Sequence, residues 1–285
     1  MTNHTTALIT DSTCDIPDEL LAQYDIPVVP CSIIWGEQIL RDRIDITAVE
    51  FYRRLDASPV LPKTSNPSPE LFRLALEAAA AQGAREAVVI TVSSALSGTY
   101  NSALMGAQGA GLPVTVVDSK GVTLSLGWQV LAAAGARASG GDAQAMTAAA
   151  NSARQAMALW ISLDTLEYLQ KGGRIGNATR LIGTLLSIKP LIYVDHGSGL
   201  VEAGPLVRSR RKSIDAMVDH FFGQVGSAGS LRIAVLHGGA REEAEELAER
   251  IRRERNPREL ILTTTCPVLG VHTGPRTLAL CGYAI

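Results

Sequence analysis

Two short runs most restrict how this chain can fold. Glu86–Val92 (EAVVITV) and Leu112–Val117 (LPVTVV) are rich in β-branched residues, and a helical stretch, Ser97–Ala110, separates them. A strand that is apolar at nearly every position has both faces buried. Two such strands joined through a helix therefore lie parallel in a sheet covered on each side. Thr6–Thr10 (TALIT) fits the same sheet and runs into the polar loop Asp11–Asp15, after which Pro17 suits the first turn of a helix. Ile26–Trp35 reads as a further strand, and Pro27 and Pro30 place it near an edge. Residues 47–57 read as a short amphipathic helix and Pro59–Pro69 as a polar connection. Ser68-Pro69-Glu70 opens a helix running to about Gln82, and Leu126–Ser139 and Asp142–Gln155 are further helices.

Beyond residue 156 the pattern changes. Leu159–Leu163 suggests a strand, Thr165–Gln170 a helix, Lys171-Gly-Gly-Arg174 a turn and Ile175–Ser187 a helix. Lys189–Asp195 and Leu200–Ser209, separated by His196-Gly-Ser-Gly199, form an expected antiparallel hairpin. A helix from Lys212, the strand Leu231–Leu236, the helix Arg241–Arg255 and strands near Leu260–Thr265 and Leu278–Ile285 complete the chain. The fold class is therefore α/β. An N-terminal parallel-sheet domain with helices on both faces (residues 1–156) precedes a C-terminal α+β domain (residues 157–285), and 285 residues suit two domains of ordinary size.

Aromatic residues make up 5 % of a chain that is 46 % hydrophobic, so a buried pocket would be walled by Leu, Ile, Val, Ala and Met. Such walls suit flexible aliphatic chains better than flat rings. The net charge of -2 lacks the basic excess of a nucleic-acid binder. The basic residues of Arg250–Arg255 alternate with glutamates as on a solvated helix face. Cys14, Cys31, Cys266 and Cys281 form no C-x-x-C pair and read as reduced, buried thiols. The N-terminus lacks the pattern of a signal peptide and no apolar run is long enough to span a bilayer, so a soluble, cytoplasmic protein is expected.

Open α/β sheets bind ligands in polar loops at the carboxyl ends of their strands. The loop Ser93-Ser94-Ala95-Leu96-Ser97 is the richest of these, with several hydroxyls where a helix begins, an end that attracts anions. On chemistry alone it serves equally as a cap and as a ligand contact. Lys63–Pro69 reads as a turn with a helix cap, and His272, between glycines, as a structural or a functional histidine.

Taken together, the motifs are more specific. Ile9-Thr-Asp-Ser-Thr-Cys-Asp-Ile16, Thr64-Ser65 with Pro67-Ser-Pro69, and Ser93-Ser94-x-x-Ser-Gly-Thr-Tyr-x-Ser102 occur in order. Val117-Asp-Ser119, Leu163-Asp-Thr-Leu-x-Tyr-Leu169, Lys171-Gly-Gly-Arg-Ile175, Lys189-Pro190 and His272-Thr-Gly-Pro275 follow. This series resembles the DegV family, which includes the fatty-acid-binding subunits of bacterial fatty acid kinase. The resemblance implies a ligand lying between the two domains, namely a long-chain fatty acid with its acyl chain in an apolar tunnel. It implies carboxylate contacts from Thr64, from Ser93 or Ser94 (with Ser93 favoured), and from His272. It also implies presentation of the head group by Arg174 to the kinase catalytic subunit, and transient contact with a membrane surface. No cofactor, metal, nucleic acid or catalytic residue is implied.

One position departs from the pattern: Arg276 stands where glycine is usual, and is expected to add positive charge near the entrance or to meet the partner. A serine-dependent acyl hydrolase using His272 as base is the alternative, although the chain has no G-x-S-x-G elbow. Gly106–Gly111 precedes a strand where a dinucleotide fingerprint would follow one, and Gly172-Gly173-Arg174 lacks the pattern of a phosphate-binding loop.

Overall fold

A computed structural model describes residues 5–181, 188–226 and 230–285. The expected parallel sheet is present, with strands in the spatial order Val28–Val29, Thr6–Asp11, Glu86–Thr91 and Val114–Asp118. Alternate side chains enter opposite cores, as a doubly covered sheet requires. Leu8, Val88 and Ile90 face Leu124 and Trp128, whereas Ile9, Ala87 and Val89 face Phe72, Leu76 and Ala103. The first set packs under the helices Leu124–Ala138 and Ala143–Ala156, the second under Pro69–Ala81 and Thr99–Ala107.

The single strand expected over Ile26–Trp35 is two. Val28–Val29 edges the parallel sheet, and Ser32–Trp35 is the middle of a separate antiparallel sheet with Gln38–Arg41 and Lys63–Ser65. Pro30 has no N–H to continue the ladder. The next amide, Cys31 N–H, donates to Ser12 Oγ at 3.1 Å as the chain leaves the first sheet. Lys63–Ser65 falls inside the stretch expected to be a connection. Its three polar residues carry no apolar alternation, and backbone pairing of Ile33 with Thr64 defines it.

The second half forms a six-stranded mixed sheet ordered Leu200–Val207, Lys189–Asp195, Ala158–Ser162, Thr277–Ala284, Leu231–Gly238, Glu259–Thr264. The hairpin Lys189–Val207 is antiparallel, with a bulge between Ala203 and Leu206. One face of this sheet, with Leu159, Ile161, Ile192 and Val194, joins the core beneath Leu124–Ala138. The other face, with Trp160, Leu191, Ile233 and Val235, is closed by the helices Arg210–Val225 and Arg241–Arg255. The expected division after residue 156 falls where the helix Ala143–Ala156 gives way to the strand Ala158–Ser162. A continuous apolar core crosses that point. The helix Pro267–Thr273 also reaches back, packing Val268 and Val271 against Cys31, Ile33 and Phe51 of the small sheet and its helix. In place of the expected helix over Ile175–Ser187 there is a 3-10 turn over Gly176–Leu181; residues 182–187 lie outside the described residues. All four cysteines are free and buried. Among the described residues no helix is long and apolar enough to cross a membrane.

Candidate functional site

Between the halves lies a cavity of about 190 Å³. The first half lines it with Val92, Leu96 and Val122, and the second with Ile161, Ile192, Val194 and Val201. Val194 and Val201 are cross-strand partners, so their side chains present one continuous patch of wall. Leu169, Val268 and Leu269 complete the apolar lining, which contains no aromatic ring among the described residues. The aliphatic wall expected from composition is the one observed.

Polar groups on the same cavity come from five segments: Thr13, Thr64 with Ser65 and Asn66, Ser97, Arg174, and His272 with Thr273. Thr64 and His272, 208 residues apart in sequence, meet directly, with Thr64 Oγ1 2.9 Å from His272 Nε2. The small sheet brings Thr64 there, and the helix Pro267–Thr273 brings His272. Burial, with the Arg174 charge second, holds the His272 imidazole well below its ordinary range, at about 4. At neutral pH the ring is therefore uncharged, and its Nδ1 is buried without a hydrogen-bond partner among the described residues. Gly172 makes room for it, since a Cβ there would lie 2.3 Å from Nδ1. Arg174 donates from Nε to Leu96 O at 3.2 Å and from Nη1 to Gly172 O at 2.9 Å. No carboxylate pairs with it among the described residues, so a cation at the cavity is held only by backbone carbonyls.

Ser93, Ser94 and Arg276 lie elsewhere. Ser93 is fully buried. Its hydroxyl donates to Gly199 O at 2.8 Å and accepts from Ala95 N–H at 3.2 Å, so it ties the loop to the tip of the hairpin. Ser94 is exposed and bonds through its hydroxyl to Asp118. The hydroxyl of this loop that reaches the cavity is Ser97, which bonds to Thr99 Oγ1 at 2.8 Å and accepts from Thr99 N–H at 3.3 Å. The helix expected from Ser97 begins at Thr99. Clustered hydroxyls do not tell which serine of the loop faces inward; Ser97 does, because Ser93 is taken up by the hairpin tip. Thr13 belongs to a loop that the strand-end rule does identify, but the rule does not say which residue points inward. Asp11 fixes it: Oδ1 accepts from the Thr13 amide at 2.9 Å and hydroxyl at 2.6 Å, and Oδ2 accepts from Val92 N–H at 2.8 Å.

Arg276 is exposed and does not line the cavity. Its backbone has φ 58°, with N–H donating to Gly238 O at 2.6 Å and its carbonyl accepting from Arg210 Nη2 at 2.7 Å. A left-handed conformation suits glycine and strains arginine. Arg276→Gly is accordingly expected to raise unfolding stability by about 1 kcal/mol, a rise in Tm of roughly 2 °C for a chain of this size, readable by calorimetry.

Comparison with known proteins gives a consistent picture. Residues 5–284 match the family profile described as "Uncharacterised protein, DegV family". A DegV domain-containing protein of Streptomyces coelicolor is 34 % identical over 275 residues, covering 95 % of this chain and 96 % of the relative. Among solved structures, a DegV family protein from Thermus thermophilus, described by its fatty acid binding, superposes with a TM-score of 0.92 at 31 % identity. That match covers 99 % of this chain and 100 % of the other. A stearic acid-binding protein from Eubacterium ventriosum superposes with a TM-score of 0.88 at 26 % identity, covering 97 % of each chain.

Proposed function

The chain belongs to the DegV family, and from that premise we propose that it is a carrier that buries the acyl chain of a fatty acid and holds the carboxylate at Thr64 and Ser97, with His272 orienting the Thr64 hydroxyl. The observation that carries this reading is one cavity with aliphatic walls and a cluster of hydroxyl, imidazole and guanidinium groups. Each buried methylene contributes about 0.8 kcal/mol, so a long chain supplies most of the affinity and the head group needs only a few oriented donors. With its proton on Nε2, the neutral imidazole donates to Thr64 Oγ1 and leaves the Thr64 hydroxyl proton free for the carboxylate. Arg174 supplies the positive charge without committing a carboxylate partner of its own. Ser93 and Ser94 shape the loop that presents Ser97.

In the same reading the head group is presented through Arg174 to the catalytic subunit of a fatty acid kinase, which forms the acyl phosphate. The setting is the cytoplasm, and loading occurs in transient contact with a membrane surface. The fatty acid structures matched above support the ligand. Carriage is favoured over serine-dependent hydrolysis because the hydroxyl facing His272 belongs to a threonine, and among the described residues no carboxylate orients His272 Nδ1 as a base.

Replacing His272 separates donation from charge. His272→Gln keeps a neutral donor to Thr64 and is expected to stay within about threefold of the parent affinity, whereas His272→Ala loses about tenfold, because the Thr64 hydroxyl that bonds to the charged carboxylate is no longer oriented. Titration with a fluorescent fatty acid checks this. Because His272 is already neutral above pH 5 or so, it contributes no pH dependence of its own to affinity between about pH 6 and 9. The reading as a whole is tested by extracting protein purified from cells and comparing denaturing with native mass spectra. A co-purified fatty acid is expected, and folded protein that neither carries nor takes up one would refute it. Adding a fatty acid kinase subunit with ATP is expected to yield acyl phosphate only when the carrier is present.

A further inference from the structure

A second cluster of buried ionisable groups lies on the opposite end of the helix that carries His272. Asp15 is 3 % exposed and sits in a left-handed conformation at φ 50°. Its Oδ1 accepts from Cys266 N–H at 2.9 Å, and its Oδ2 from Thr123 Oγ1 at 2.5 Å. Cys266 is the N-cap residue of Pro267–Thr273 and provides no side-chain cap. One carboxyl of the first half thus holds the start of a seven-residue helix whose side chains Val268, Leu269, His272 and Thr273 all line the cavity.

Beside it lies Asp42, with no solvent exposure. Neither of its carboxyl oxygens has a hydrogen-bond partner among the described residues. The groups facing Asp42 are poor counterweights. Ser12 and the Cys266 thiol favour its charge but do not meet hydrogen-bond geometry, and Asp15 opposes it. Arg43, the nearby cation, is turned to Asp18 and to Ile16 O, the latter at 2.9 Å. Tyr52, Cys31 and Cys266 are themselves buried, and Asp42 pushes each of their ionisations up. A buried charge without a partner is costly, and two carboxyls with so little compensation favour holding a proton.

We propose that the Asp15–Asp42 carboxyl pair is a positioning device for the head-group helix, holding its start through Cys266 while the pair keeps a proton and releasing it when that proton is lost. The inference rests on the carrier reading for its effect on ligand, but its structural part stands without ligand. Burial raises Asp15 to about 6 and Asp42 to about 7, each from an ordinary value near 3.8. Folded protein therefore binds more protons than unfolded protein between roughly pH 4 and 8, so the pair's contribution is complete below that window and is lost as pH rises through it.

The test is hydrogen exchange of the Pro267–Thr273 amides in free protein between about pH 6 and 9, corrected for intrinsic rates, in the parent and in Asp42→Asn. Fluorescent fatty-acid titration runs alongside. In the parent, protection of the helix and ligand affinity are each expected to fall by about fivefold or more across this range, within the tenfold that one unit of linkage allows. In Asp42→Asn the fall is expected to shrink to about twofold at most, the share left to Asp15. Asp15→Asn, whose amide oxygen still accepts from Cys266 N–H, is expected to recover most of the affinity lost in Asp15→Ala. Equal pH slopes in the parent and Asp42→Asn would overturn the proposal. Protection that behaves as expected in a protein that takes up no fatty acid would refute the carrier reading and leave the device standing.

Discussion

Val194→Phe is expected to weaken binding of long-chain fatty acids by about a hundredfold while leaving shorter acids nearly unaffected. Val194 is 2 % exposed and faces Val201 across the wall of the cavity. Its replacement adds four carbon atoms where the acyl chain would lie. Excluding three or four methylenes forfeits about 3 kcal/mol of apolar burial, which corresponds to a factor of about a hundred in Kd. Overpacking a core costs about 1–3 kcal/mol in stability, so a melting curve must accompany the titration. A chain-length series read by displacement of a fluorescent fatty acid gives the result: affinity should level off several carbons earlier than in the parent. A uniform loss at every length would mean that the side chain disturbs the head-group end instead.

The second large effect is expected from Gly172→Ala. The added methyl would lie 2.3 Å from His272 Nδ1 and 3.0 Å from Tyr168 O, so the imidazole must move away from Thr64. Loss of that alignment is expected to lower fatty-acid affinity by about tenfold, the scale of a hydrogen bond to a charged group. A double-mutant cycle makes the test sharp, because coupled residues are non-additive. Gly172→Ala placed in His272→Ala should cost almost nothing further. If instead the two losses add, Gly172 acts through the backbone turn and not through the histidine.

Much of the architecture follows from pattern alone, and the exceptions have physical causes. The Val/Ile runs at residues 86–92 and 112–117 specify a sheet buried on both faces, and Leu8 with Val88 and Ile9 with Val89 enter the two cores as that pattern requires. Lys63–Ser65 is invisible because its place is fixed by backbone pairing to Ser32–Trp35, a long-range match with no side-chain signature. The division of Ile26–Trp35 turns on Pro30, whose missing N–H marks the exit from one sheet into another.

For the site, the ordered motifs point to Thr64, Arg174 and His272, and the fold brings all three to one cavity. Ser93 illustrates the opposite case. Hydroxyl clustering identifies the loop, but only packing against the hairpin tip reveals that Ser93 is occupied by Gly199 and that Ser97 faces inward. Asp15 and Asp42 lie 27 residues apart and attract no notice as a pair, yet the fold brings both to Cys266.

The central claim is that one end of an aliphatic cavity recognises a carboxylate. It is tested most directly by displacement titration with a long-chain fatty acid and with its methyl ester, on the same folded protein. Both share the acyl chain, and only the acid offers a charged acceptor to Thr64, Ser97 and Arg174. The acid is expected to bind at least about tenfold more tightly, since hydrogen bonds to a charged group are worth about 1.5–3 kcal/mol each. Equal affinity for acid and ester, or binding of neither, would contradict it.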